Sequence, residues 1–111
     1  MTDKTFNIKL VGGSRELKFN NRALYEFSVV HGRDPIHVFA RGEMGIRAIT
    51  HFVWAGLLHA EPNITLDEVK DLVPLNDLQS VVDVVVAAME HATDTGGKGG
   101  DSPKKKADTP Q

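Results

Sequence analysis

From Thr93 to Gln111 the chain carries no aromatic side chain and no aliphatic one larger than Ala107. It runs instead through Gly96-Gly97-Lys98-Gly99-Gly100 and Pro103-Lys104-Lys105-Lys106. Ordering a backbone costs about 1–2 kcal/mol per residue, and this stretch has too little apolar surface to offset that. The composition therefore predicts one compact domain over Met1–Thr93 and a flexible tail over 94–111. A domain of that length supports one core. The tail bears no group suited to catalysis, which points to a protein that works by contact.

The apolar fraction of 41% is ordinary, so a core can form without covalent staples. The absence of cysteine excludes disulfides, thiol nucleophiles and thiolate metal sites. That composition fits a reducing compartment. A formal net charge of -2 argues against nucleic acid and against an anionic membrane as partner. Met1-Thr2-Asp3-Lys4 leads into an alternating pattern, so no signal peptide is expected. The longest apolar runs, near Phe52–Leu58 and Val84–Met89, fall well short of the ~20 residues of a membrane span.

The pattern along the chain is α+β, an N-terminal β-hairpin followed by a small helical bundle. Phe6, Ile8 and Leu10 alternate with Asn7 and Lys9, which predicts a strand. Gly12-Gly13 accepts the positive φ angles of a two-residue turn, within a hairpin over 5–19. In that register Lys9 faces Glu16, Ile8 faces Leu17 and Phe6 faces Phe19, with the apolar side chains on one surface. Asn20 or Asn21 caps a helix over about 21–30, whose apolar positions are Ala23, Leu24, Phe27 and Val30, and Gly32 ends it. Asp34-Pro35 opens a short helix over 35–41. The next helix covers 43–59, with Ile46, Ile49, Val53 and Leu57 as its stripe and Trp54 and Leu58 beside it. Thr65 and Glu68 form a capping box for a helix over 65–73. Asn76 opens the last helix, over 76–92. Val81–Val86 is β-branched, but Leu78, Val81, Val82, Val85 and Met89 keep helical spacing.

No residue pattern here carries catalysis. His51 and His59 are eight residues apart on one helix, about 12 Å along the axis, so one ion cannot join them. His31, His37 and His91 fall near helix ends, where an imidazolium favours the negative end of the dipole or is simply solvated. Asp67, Glu68 and Asp71 sit in the first turns of a helix and offset its macrodipole. The serines lack a candidate base. No cofactor or metal is expected. The candidate binding residues are Trp54, as a core-edge side chain or an interface anchor, and Val84 and Val86, on the flanks of the last helix. The hairpin has two edges that a second chain could extend. With the wide apolar flank of the last helix, this favours self-association or partner binding; loops of the same chain covering those edges is the alternative.

The order of features resembles a known family. A hairpin leads into Arg22-Ala23-Leu24-Tyr25-Glu26-Phe27, a linker with Gly and Pro, and a helix ending Trp54-Ala55-Gly56-Leu57-Leu58-His59-Ala60. An acidic helix beginning Thr65-Leu66-Asp67-Glu68-Val69 follows. Over about Phe6–Ala92 this resembles the tail assembly chaperones of long-tailed bacteriophages and the related proteins of gene transfer agents. The resemblance implies a non-enzymatic protein of the host cell cytoplasm, absent from the mature virion. It implies two partners, the tape measure protein, which it keeps soluble, and the major tail tube protein, which it helps recruit. A homo-oligomer is compatible with that role. The rival from another class is a structural head–tail connector or minor tail protein retained in the virion, and a small regulator binding nucleic acid is disfavoured by the charge.

The family also implies that a longer form is often made by ribosomal slippage. Gly96-Gly97-Lys98 is a candidate frameshift position, because G-GGA-AAG encodes a codon ending in G, then Gly, then Lys. Lys104-Lys105-Lys106 could come from an A-rich heptamer. The other reading of the same residues is an ordinary soluble linker.

Overall fold

In the computed structural model, residues 5–93 are described. The expected tail and the Gly96-Gly97-Lys98 position lie outside the described residues. The fold is α+β. An antiparallel hairpin, β1 (Phe6–Leu10) and β2 (Gly13–Leu17), is followed by five helices: α1 (Asn21–His31), α2 (Pro35–Ala40), α3 (Ile46–Leu57), α4 (Leu66–Leu72) and α5 (Leu78–Thr93).

The hairpin register is shifted by two residues from the expected one. Leu10 pairs with Gly13, Lys9 with Ser14, Ile8 with Arg15 and Phe6 with Leu17. The turn is therefore Val11-Gly12, not Gly12-Gly13. Its cause lies outside the hairpin: the Val11 N–H donates to the Leu72 carbonyl at 2.8 Å, where α4 ends. That bond holds Val11 at the corner, and Gly12 supplies the positive φ, +92°, at the second turn position. Lys9 and Glu16 are thus not directly opposed. A shift of two leaves every side chain on its expected face, and Ile8, Leu10, Leu17 and Phe19 are all buried.

Local capping sets most helix ends. The Asn20 side chain accepts from the Ala23 N–H at 2.8 Å, and Gly32, at φ 82°, closes α1. Asp34 caps α2 through the Ile36 and His37 N–H groups. Thr65 and Glu68 complete the capping box of α4. Two expected boundaries are corrected. The expected helix over 43–59 contracts to Ile46–Leu57, because Glu43 and Met44 are held in a turn by the Val38 and Gly42 carbonyls. The chain after Pro74 enters a 3-10 turn, Leu75–Asp77, so Asn76 is not the cap of α5. Here the Asp77 carboxylate accepts from the Ser80 hydroxyl, and the Gln79 amide donates to Asp83. The Val81–Val86 run is helical. The chain bends by 64° between α4 and the segment from Leu75 to Thr93.

The core is built around α3, which β2, α1, α4 and α5 all contact. Its apolar surface is accordingly not a stripe. Ala48, Phe52 and Ala55 are buried together with Ile49, Val53 and Leu57, while Ile46 is half exposed. The Phe52 ring stacks on Phe27 at 4.1 Å and meets Phe19 edge-on at 5.8 Å. Gly56 is the point of closest approach to the hairpin. A Cβ at Gly56 would lie 2.7 Å from Leu17 Cγ, and its carbonyl accepts from the Lys18 N–H at 3.0 Å.

Candidate protein-binding face

The sequence-derived candidates fall in different places. Trp54 is a core-edge side chain: its ring packs against the core, and its Nε1–H donates to the Ile64 carbonyl at 3.0 Å. That bond ties α3 to the loop before α4. Val84 is half-buried and packs against the core as well, whereas Val86 is half-buried on the same helix. The edge of β2 is occupied from within the chain, by the Lys18–Gly56 bond and by the His59 ring on the Glu16 carbonyl at 3.1 Å.

The exposed apolar side chains concentrate elsewhere. Tyr25 is 69% exposed and Val29 62%. They stand one turn apart on α1, opposite the buried Ala23 and Phe27, so they share its outer face. Beside them Ile36 is half exposed at the start of α2. Between the two helices lies a shallow cleft of about 420 Å³, with Leu24, Tyr25, Pro35 and Ile36 as its apolar lining and Ser28, Arg33 and Asp34 as its polar lining. The sequence contained one signal for this face. Tyr25 and Val29 fall outside the inward stripe of α1 and are four residues apart, too regular a remainder for an all-polar outer surface.

Beneath this face, α1 is fastened to α3 by two histidines. The Nδ1 atoms of His31 and His51 are 2.9 Å apart, with the rings nearly perpendicular at 86°. Arg47 approaches the same His31 nitrogen at 3.4 Å. A guanidinium can only donate, so His31 Nδ1 accepts, and the shared proton belongs to His51 Nδ1. His31 then carries its own proton on Nε2. Phe27 covers the His31 ring at 4.7 Å. Burial, followed by the charge of Arg47, lowers the pKa of both: His51 falls to about 4, and His31 also lies below its ordinary value. The expected imidazolium or solvated ring at the end of α1 is therefore corrected, for His31, to a neutral, hydrogen-bonded one. His31 and His51 are twenty residues apart, and only tertiary packing joins them.

Among the described residues, no group of three or more His, Asp or Glu side chains is placed to hold a metal ion. Arg15 of β2 makes a two-pronged bond to Glu61, at 3.1 and 3.2 Å, which pins the hairpin to the loop after α3. Among the described residues no single helix is long and apolar enough to cross a membrane. No protein-family model, no curated protein and no solved structure matches this chain.

Proposed function

We propose that this chain is a non-enzymatic binding module, a tail assembly chaperone that holds the tape measure protein and promotes assembly of the major tail tube protein around it. The observation that supports the reading is the α1–α2 face. Tyr25, Val29 and Ile36 expose apolar surface around a cleft, and an amphipathic helix laid along it would bury its own apolar stripe there. A long helical client that aggregates alone is suited to many copies of such a module. The sequence resemblance supplies the identity of that client. On this reading the protein acts in the host cytoplasm and leaves before the virion is complete.

Co-expression of the full chain with the tape measure protein of its own gene cluster tests the proposal. The expected outcome is that the tape measure protein stays soluble and copurifies. Val29→Asp should abolish that capture while leaving the helical circular dichroism intact, because Val29 is exposed. A tape measure protein that precipitates equally with and without the chain would overturn the proposal. Stoichiometric copies in purified virions would favour the structural connector instead.

A further inference from the structure

We propose that the His31–His51 bond is a latch that acid releases. A second proton in the pair frays the last turn of α1 and removes one wall of the α1–α2 cleft, while the rest of the fold stays closed. In the neutral pair one proton lies between two Nδ1 atoms 2.9 Å apart and fastens α1 to α3. A proton added at the His31 Nδ1 would set two N–H donors against each other, with the Arg47 guanidinium as a third donor at 3.4 Å. Three donors with no acceptor cannot hold two helices together. The bond becomes a repulsion.

The surroundings do not take up the added charge. Arg47 faces the pair from α3, Arg33 from the segment between α1 and α2, and Lys70 from α4, all with positive charge. The Glu43 carboxylate opposes them at His31, but Arg33 at 3.5 Å and Arg41 at 3.1 Å already hold it. His51 is 7% exposed, so its cation reaches water only when the side chains over it move. Two rings of α1 meet it, those of Phe27 and His31. Phe27 is fully buried and stacked on Phe52, whereas His31 is half-buried and stands last in its helix. The part free to leave is therefore the last turn, which the Gly32 N–H closes on the Ser28 carbonyl at 2.9 Å. Such an opening is local, and it requires less free energy than unfolding the whole domain. Ser28, Gly32, Arg33 and Asp34 line the cleft, so the turn that frays carries its polar side. Leu24 and Tyr25, one turn earlier, and Pro35 and Ile36, at the start of α2, stay in place.

The bearing of the latch on binding rests on the function proposed for that face. The latch itself is read on the protein alone, so either proposal can fail without the other. Amide hydrogen exchange of the full chain, followed by NMR at pH 7 and pH 4.5 and corrected for the intrinsic exchange rate, tests it. Latched, His51 stays neutral to about pH 4, and released it titrates near its ordinary 6.5, so opening grows as pH falls. The Gly32 amide should lose at least roughly tenfold in protection between the two pH values. Its exchange should depend little on urea, whereas the Val85 amide, in the buried face of α5, should show the full slope of global unfolding. In a His31→Gln/His51→Gln double variant, with no imidazole at either position, the pH dependence at Gly32 should vanish. Equal protection of Gly32 at both pH values, a urea slope matching that of Val85, or a double variant that keeps the parent's pH dependence would overturn the proposal. If the double variant does not fold, the two readings on the parent decide.

Discussion

Gly56 lies within α3, where alanine would ordinarily stabilise the helix by roughly 1 kcal/mol over glycine. Here the preference is reversed by what lies across from it, since the position of a Cβ is already filled by the side chain of Leu17, itself 1% exposed and without room to withdraw. Gly56→Ala should therefore destabilise the domain, by roughly 1–3 kcal/mol of overpacking less the helix gain, in urea unfolding. His31 and His51 make the second prediction. In the unfolded chain both titrate near their ordinary value, about 6.5, whereas in the folded chain His51 stays neutral to about pH 4. The unfolded state thus binds more protons across that window, so stability is full above pH 6.5 and falls as pH drops toward 4. Arg47, Arg33 and Lys70 face the pair with positive charge, and Glu43 alone opposes them at His31. The difference in Tm between the parent and His51→Gln, followed from pH 7 to 4.5, should shrink steadily on acidification. A difference that is constant with pH would mean that the pair is not neutral.

At the scale of elements, the caps are separable from the rest. Thr65→Ala removes one half of the capping box of α4 and should cost about 1 kcal/mol by urea unfolding. Gly12→Val should cost more, because φ +92° is closed to a β-branched side chain, whereas Val11→Gly should be tolerated. Under the register first expected from the sequence, Gly12 and Gly13 together would be the turn, and Val11 would be a paired strand residue. What was legible in the sequence follows the same division. The Asn20, Asp34 and Thr65 caps and the face of each strand depend on residues within a few positions, and they stand where the spacing puts them. The hairpin register depends on a carbonyl at Leu72, and the His31–His51 bond on the packing of α1 against α3. Neither leaves a trace in local periodicity. Burial of α3 on nearly all sides was legible only in part, since Ala48 and Ala55 count weakly in any pattern of large apolar residues. The candidate binding residues show the same limit. Trp54, Val84 and Val86 are apolar in sequence, but their exposure depends on neighbours from other elements.

Across the whole molecule, α5 lies against β1, and Phe6 meets the ring of His91 at 5.6 Å. The first and last elements of the described residues are therefore neighbours. A two-stranded hairpin is marginal by itself in water, so β1 and β2 emerge from the ribosome without the surface that will hold them. Chains arrested before Met89 has cleared the exit should remain open to protease throughout, and those arrested after Thr93 has cleared should turn resistant in one step. Resistance of a hairpin fragment in the shorter chains would contradict this. Synthesis thus imposes a waiting time in which β1 lacks the helix that lies against it, and that interval ends only when α5 is translated.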